Sequence, residues 1–321
     1  MASGARAARS RRPVWPLPGF GPSFDTRGKG LFVWLPVSHW TVYGFTTVWV
    51  LGVLVPLVLL VLFSFLKTRG IQFIFEPTLR AYLDIFEYAG WPVILRSLRI
   101  AATVTIIELI IAFPFALWLA KGTRSDAVRL TFFTLLMVPF FLSPASRTIV
   151  WRVVLGRNGL VNSVLMSLGI IDEPVDWLLF SEPAVHFGFI GPYFPPMVWP
   201  IFLSISLIDD ELLEASRDLG GHPRHTLRHI IIPLAIPGVV AGIVFTFVPM
   251  LGDTVVAHLI GGGNVLLLSS SIYDLITVMN YAAAAAMAAF VLALILILQL
   301  PLIITIRSIG GVNEIFASLR R

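Results

Sequence analysis

Residues 232–251 read IPLAIPGVVAGIVFTFVPML and contain no charged side chain in 20 consecutive positions. A helix needs about 20 apolar residues to cross the hydrocarbon layer of a bilayer. Backbone groups in hydrocarbon must satisfy their own hydrogen bonds, so a stretch of this kind is predicted to be a transmembrane helix. The fold therefore depends on how many such stretches the chain has.

Five further stretches meet the same criterion, and the sequence predicts an all-α integral membrane protein with six transmembrane helices. The predicted spans are residues 43–66, 98–120, 130–150, 184–208, 232–251 and 282–306. Composition agrees, because 57% of the 321 residues are hydrophobic and only 13% are charged, against roughly 25% charged residues in soluble domains. The mean hydropathy is +0.89. There is too little charge to cover a soluble surface.

The segments outside the spans predict the domain organisation and the orientation. Residues 1–42 form a basic N-terminal tail rich in Pro and Gly, residues 43–310 hold the spans, and residues 311–321 form a C-terminal tail. With both termini in the cytoplasm, 15 of the 23 Lys and Arg residues lie on that side and 8 lie outside. Because cytoplasmic loops carry an excess of Lys and Arg, this orientation is the one we expect.

The loop between the fourth and fifth predicted spans carries the most specific pattern. It reads DDELLEASRDLGGHPRHTLRHIIIP over residues 209–233. Acidic residues followed by Leu and Ala at helical spacing predict a short amphipathic helix. Gly220 and Gly221 are expected to end this helix, since glycine readily adopts positive φ, and Pro223 is expected to begin the next segment. A short surface helix attached to a span is suited to binding a soluble partner.

This loop resembles the signature loop of ABC importer permeases, which is Glu-Ala-Ala, three residues, Gly, nine residues and Ile-x-Leu-Pro. The matching positions are Glu214, Ala215, Gly220, Ile230 and Pro233, and the two departures are Ser216 for the second Ala and Ile232 for Leu. Both departures are interpreted as small changes compatible with an apolar surrounding. The resemblance implies the type I ABC importer permease fold, with a coupling helix over residues 214–220 that transmits ATP-driven closure of a partner to the spans.

From about residue 98 to residue 306 the chain also resembles the permeases of spermidine/putrescine importers. The matching stretches are FPFA at 113–116, VPF at 138–140, NGLVN at 158–162 with LGIID at 168–172, and PMLGD at 249–253 with LIGG at 259–262. The resemblance implies that polyamines are the substrate. Permeases for ferric iron, thiamine, opines or sulfate share parts of these stretches, so those solutes are alternatives.

The resemblance further implies a location in the bacterial inner membrane and a set of partners. These are a dimer of ATPase subunits that bind ATP and Mg, a second permease subunit, a periplasmic substrate-binding protein and membrane lipid. The sequence has no Cys and no Gly-rich phosphate loop, so the chain is predicted to be a non-catalytic subunit that holds no cofactor. Its basic residues are interpreted as holding the cytoplasmic loops against anionic lipid, and no nucleic-acid binding is predicted.

Three histidines at helical spacing, His222, His225 and His229, would suit a metal. They fall inside the loop at 209–233, where docking to a partner explains them, so no metal site is predicted.

Two other classes of protein are alternatives to the importer permease. An ion-driven secondary transporter would be expected to show more intramembrane charge or inverted repeats. A membrane-embedded enzyme would need catalytic side chains clustered at one depth.

Four residues in or beside the spans are candidates for the substrate path. Glu108 lies mid-span, where a charge costs roughly 3 kcal/mol, and either binds a cationic substrate or pairs with a neighbouring helix. Asp253 either lines a transport site next to a broken helix or is a carboxylate at the membrane edge. Tyr193 and Trp199 lie among four prolines of the fourth span, and they either contact an ammonium group or pack against neighbours.

Overall fold

A computed structural model of the chain describes residues 39–69, 72–88 and 90–308. The predicted tails, residues 1–42 and 311–321, lie outside the described residues except for positions 39–42. By their internal contacts, the described residues divide into two units at Val55 and Pro56, inside the first helix.

The regular structure of the described residues is helical apart from one small hairpin. The helices are α1 (His39–Ser64), α2 (Arg80–Tyr88), α3 (Gly90–Leu117), α4 (Asp126–Phe141), α5 (Pro144–Leu155), α6 (Leu160–Ser167), α7 (Glu182–Ser206), α8 (Asp210–Asp218), α9 (Pro223–Thr226), α10 (Ile232–Gly252), α11 (Thr254–Leu259), α12 (Leu268–Thr277) and α13 (Tyr281–Ser308). The hairpin pairs β1 (Lys67–Arg69) antiparallel with β2 (Gln72–Ile74). Two π-helical turns, Trp118–Gly122 and Leu227–Ile231, follow α3 and precede α10.

Five helical stretches in the described part of the chain are long and apolar enough to cross a membrane. They are Tyr43–Ser64, Gly90–Gly122, Asp176–Ser206, Pro223–Gly252 and Tyr281–Leu300. These stretches confirm the first, second, fourth, fifth and sixth predicted spans. The four prolines inside α7 do not interrupt it, and the helix is continuous from Glu182 to Ser206.

The prediction of one continuous helix over residues 130–150 is wrong. The chain bends by 98° between α4, which ends at Phe141, and α5, which begins at Pro144. Pro144 occupies the first helical position of α5 and the side chain of Ser143 caps it, which is a usual way to begin a new helix. The two pieces make a sixth span only as a bent pair.

The second span begins at Gly90 rather than at residue 98, so it includes Arg96 in addition to Arg99, which the predicted span already contained. Both pair with Glu182 in the first turn of α7. Arg96 Nε lies 3.1 Å from Glu182 Oε1, and Arg99 Nη2 contacts Glu182 Oε2. Charges in a span are tolerated when they are paired, so these ion pairs allow the span to begin before residue 98. They also join α3 to α7.

Helices α3, α7 and α10 pack against one another, and each contributes buried side chains to the interior. Their apolar residues form two clusters. The distal cluster includes Ile100, Val104, Phe189 and Met250. The loop-side cluster includes Ala112, Met197, Ile201 and Ala235, and it adjoins the loop at residues 209–233 through Ile208 and Ile231.

Candidate functional site

The loop after α7 folds into a helix–turn–helix, here called the coupling region (residues 209–233). Gly220 ends α8 with φ +75°. Its N–H donates to the carbonyl of Arg217 at 2.9 Å, and the N–H of Gly221 donates to the carbonyl of Ser216 at 2.8 Å. This pair of bonds, with glycine at positive φ, is the Schellman ending of a helix. The predicted end of the helix at Gly220 is confirmed.

The two adjacent glycines are required for different reasons. A Cβ added at Gly220 would meet no atom within 4 Å, so its positive φ alone disfavours another residue. A Cβ added at Gly221 would lie 2.5 Å from the backbone oxygen of Ser216 and 2.7 Å from its Oγ. In the turn between α8 and α9, glycine is therefore needed at 220 for its backbone conformation and at 221 for the close packing around it.

Ser216 forms a buried hydrogen bond that its sequence position did not indicate. Its side chain is buried, and Ser216 Oγ lies 2.8 Å from Thr226 Oγ1, which is also buried. Interpreting Ser216 as a replacement compatible with an apolar surrounding is therefore wrong in its reason. The hydroxyl pair connects α8 to α9, which leads into α10.

Lys121 joins the end of the second span to the start of α8. Its Nζ donates to the backbone oxygen of Ile208 at 2.6 Å and to Asp210 Oδ1 at 2.7 Å. The hydrogen bond from Lys121, together with its positive charge, holds the pKa of the Asp210 carboxyl below its usual value. Lys121 could not be found from local sequence patterns, because 89 positions separate it from Asp210.

The remaining predicted residues of the loop lie on its surface or at its exit. Glu214 and Ala215 are exposed on α8, Ile230 is half-buried in the π-helical turn, and Pro233 follows at the second position of α10. The exposed carboxylates of this region are Asp209, Asp210, Glu211, Glu214 and Asp218. The exposed face of α8 is therefore acidic.

A polar side chain interrupts the apolar face of α3 between the two clusters. Glu108 lies one turn after Val104 of the distal cluster and one turn before Ala112 of the loop-side cluster. Residues four apart share one face of a helix, so Glu108 points into the same helix interface as these two. It is 0% exposed, and neither carboxyl oxygen has a hydrogen-bond partner among the described residues.

The two helices that pack on α3 carry a polar residue at the corresponding place. On α7, Tyr193 lies between Phe189 of the distal cluster and Met197 of the loop-side cluster. On α10, Thr246 is fully buried one turn before Met250. Its Oγ1 has no hydrogen-bond partner in the described ranges. Glu108, Tyr193 and Thr246 thus make a polar layer across the bundle interior, and sequence reasoning missed Thr246.

Two members of this layer, Glu108 and Thr246, differ from ordinary buried polar groups because they have no hydrogen-bond partner among the described residues. An unsatisfied buried polar atom costs about 1–3 kcal/mol, and more if it is charged. The interpretation of Glu108 as paired with a neighbouring helix is not supported, since no described side chain lies within hydrogen-bond distance of it. An unpartnered buried group calls for an explanation, and for Glu108 a ligand or another conformation that supplies the missing bond is one.

Asp253 is occupied by contacts within the chain. Its Oδ1 accepts hydrogen bonds from the N–H groups of Val255 at 2.8 Å and Val256 at 3.0 Å, which caps α11. The hydroxyl of Tyr193 donates to Oδ2 at 3.0 Å, and Ser269 Oγ donates to the Asp253 backbone oxygen at 2.8 Å. Both carboxylate oxygens are engaged, so the carboxylate fixes the break between α10 and α11.

Trp199 faces an apolar cavity rather than the polar layer. Its ring stacks edge-on against Phe133, with centroids 4.6 Å apart. The cavity has a volume of ≈ 660 Å³ and is also lined by Phe140 and Phe245. The indole Nε1 is buried and has no partner in the described part of the chain. These surroundings favour the packing interpretation of Trp199 over contact with an ammonium group.

The coupling region and the bundle match one family of membrane proteins. Residues 112–304 match the family described as the binding-protein-dependent transport system inner membrane component. This match covers more than half of the chain, and the chain therefore belongs to that family of transport permeases. It is an ABC importer permease with several apolar helices, of the kind located in the inner membrane.

Curated relatives lie within the same family. The chain is 34% identical over 221 residues to the spermidine/putrescine transport system permease protein PotB of Haemophilus influenzae, covering 68% of this chain and 76% of that protein. It is 35% identical over 224 residues to PotB of Escherichia coli (strain K12), covering 70% and 80%. The inner membrane ABC transporter permease protein YdcU of the same strain is 34% identical over 198 residues, covering 58% and 62%.

Solved structures share the fold. A bacterial ABC transporter involved in the import of the acidic polysaccharide alginate has a chain that matches with a TM-score of 0.66 at 18% identity, over 84% of this chain and 96% of that one. The alginate transporter in complex with its alginate pentasaccharide-bound periplasmic protein matches with a TM-score of 0.67 at 17% identity, over 84% and 95%. At these identities the likeness shows the fold alone.

Proposed function

We propose that this permease conducts polyamines into the cell as one subunit of an ATP-driven importer, and that the coupling region transmits ATP hydrolysis to the bundle. The chain itself hydrolyses no ATP. Two ATPase subunits bind ATP and Mg, a second permease completes the pathway, and a periplasmic binding protein delivers the substrate. Both termini lie in the cytoplasm, on the same side as the coupling region.

The observation that carries this proposal is the set of bonds joining α8 to two spans. Lys121 connects α8 to the end of α3, and the Ser216–Thr226 bond connects it to the segment that enters α10. A displacement of α8 by the ATPase subunits would therefore pull on α3 and α10 together. Those two helices carry Glu108 and Thr246, the unpartnered members of the polar layer.

The polyamine assignment has two supports. The relatives PotB of two species carry the name of spermidine/putrescine permeases at 34–35% identity. Within the bundle, Glu108 is a buried carboxyl without a partner, and an ammonium group would supply both the opposite charge and the hydrogen-bond donors that it lacks. Sulfate, one of the alternative solutes, is an anion and would supply neither the opposite charge nor a hydrogen-bond donor to Glu108.

The experiment reconstitutes the permease with its ATPase, second permease and binding protein in nanodiscs and measures ATP hydrolysis. Spermidine- or putrescine-loaded binding protein is expected to stimulate hydrolysis, and Glu214→Ala is expected to reduce that stimulation while leaving the complex assembled. Stimulation only by another solute would retain the permease role and reject the polyamine. Transport without any ATPase, unaffected by Glu214→Ala, would reject the coupling role and favour an ion-driven transporter.

A further inference from the structure

A cavity lies between the coupling region and the bundle, on the side of α8 that faces the spans. Its volume is ≈ 470 Å³, and it is bounded by the end of α3, by α8, by α9 and by the π-helical turn before α10. One wall is cationic and the other is apolar. The cationic residues are Lys121, Arg217 and Arg224, and the apolar ones include Leu117, Leu227 and Ile231.

The cations of this cavity retain unused hydrogen-bond donors. Neither the Arg217 nor the Arg224 guanidinium has an ion pair or hydrogen bond among the described residues. Lys121 uses two of its N–H donors, on Ile208 and Asp210, and an ammonium has three. None of the exposed carboxylates of α8 lines the cavity. The wall is therefore a site for an anion with several acceptor oxygens.

The position of the cavity identifies the source of that anion. Lys121 lies in the last turn of the span Gly90–Gly122, and Pro223 begins the span Pro223–Gly252. Both stretches are longer than the roughly 20 residues that cross the hydrocarbon, so the cavity lies at or beyond the edge of the hydrocarbon, on the side where phospholipid headgroups lie. Its apolar wall continues toward the bundle through Leu117 and Ile231. Basic pockets between spans at this depth suit anionic headgroups.

We propose that this cavity binds an anionic phospholipid, with the headgroup phosphate between Arg217 and Arg224 and an acyl chain along the apolar wall. The lipid would link α8, α9 and the end of α3 without a covalent bond. Membrane composition would then adjust how firmly the coupling region is held to the spans. This inference does not rest on polyamines being the substrate.

The test compares lipid retention by the full importer complex in native mass spectrometry. The complex is delipidated and then titrated with phosphatidylglycerol or with phosphatidylcholine of identical acyl chains. The variants are Arg217→Gln, Arg224→Gln and the double change. Arg228→Gln is the matched control, since Arg228 is exposed in the adjacent turn and does not line the cavity.

The wild type is expected to retain phosphatidylglycerol at least 10-fold better than phosphatidylcholine. Each cavity substitution should lower that retention about five-fold, which is the usual contribution of one basic residue near an anionic membrane surface. Arg228→Gln should leave it unchanged. Equal retention of both lipids by the wild type, or full retention of phosphatidylglycerol by the double variant, would overturn the proposal.

Two further arms separate other occupants of the cavity. Inorganic phosphate lacks acyl chains and is expected not to displace the lipid, and displacement at millimolar phosphate would reassign the cavity to a free anion. The double variant is expected to keep its ATPase subunits. If it loses them while retaining phosphatidylglycerol as the wild type does, the cavity is a seat for the ATPase and the lipid proposal fails.

Discussion

The coupling region and the polar layer treat buried polar groups in opposite ways. In the coupling region, Ser216 and Thr226 satisfy each other, and the Lys121 ammonium satisfies a carbonyl and a carboxylate. In the polar layer, the Glu108 carboxyl and the Thr246 hydroxyl have no partner among the described residues. A satisfied network holds one geometry, whereas an unsatisfied group favours whichever state supplies a partner. We infer that the coupling region is rigid and that it is joined to a bundle interior that changes conformation.

The largest expected effect comes from disrupting the end of α8 at Gly220. Gly220→Pro removes the N–H that donates to Arg217 and imposes a φ near −65° in place of +75°. The end of α8 should then unwind, and stimulated ATP hydrolysis should fall about 10-fold or more, the equivalent of about 1.4 kcal/mol or more in coupling. Reconstituted ATPase assays measure this.

The chain offers a matched control at the end of α6. Gly169 has φ +65°, and its N–H donates to Met166 at 3.0 Å, so α6 ends in the same way as α8. A Cβ at Gly169 also meets no atom within 4 Å. Gly169→Pro should damage its own helix to a similar degree and leave stimulated hydrolysis intact. Equal loss of coupling in both variants would show a general folding defect instead.

The second prediction concerns the unsatisfied side of the comparison. Because Glu108 is buried without a partner, Glu108→Leu should raise the free energy of unfolding by about 1–3 kcal/mol while reducing polyamine uptake at least 10-fold. Thermal unfolding and radiolabelled uptake measure the two effects. Thr105→Val is the contrasting change on the same helix, since Thr105 Oγ1 donates to the Ala101 carbonyl at 2.7 Å.

Thr105→Val should therefore not increase stability. If Glu108→Leu destabilises the protein instead, then Glu108 has a partner in the functional complex, and the division between a satisfied and an unsatisfied region does not hold. If stability rises and uptake stays normal, Glu108 is not on the substrate path.

A smaller effect is expected from the hydroxyl pair between α8 and α9. Ser216→Ala or Thr226→Val alone should lower the free energy of unfolding by about 1–2 kcal/mol, because each leaves one buried hydroxyl without a partner. The double substitution should cost less than the two single costs together. A double-mutant cycle on thermal unfolding measures the coupling. Additive costs would show that the two hydroxyls act independently.

The smallest effect is the pH dependence of the Lys121–Asp210 pair. The pKa of Asp210 is lowered in the folded protein, chiefly by its hydrogen bond from Lys121. The stabilisation is therefore fully present above the usual Asp pKa of about 3.9 and disappears as pH falls through the lower folded value. The Tm difference between wild type and Asp210→Asn should be constant from pH 7 to 5 and shrink below about pH 4. An unchanged difference at low pH would contradict this.

The sequence predicts those features that depend on neighbouring residues. The five continuous spans follow from apolar length, since a bilayer accepts few other structures. The end of α8 follows from Gly220, because its bonds reach back no more than five residues. The bend near Pro144 was missed, although Ser143 and Pro144 carried the local signal of a new helix start.

By itself, the sequence determined that this chain is a multi-span helical permease with a glycine-capped coupling helix. The tertiary structure alone decided which polar groups are satisfied. Lys121 and Asp210 lie 89 positions apart, and Tyr193 and Asp253 lie 60 apart. Glu108 has no partner because α7 and α10 place none beside it in the described residues. Pairing across such distances depends on how whole helices pack, and no local pattern encodes that.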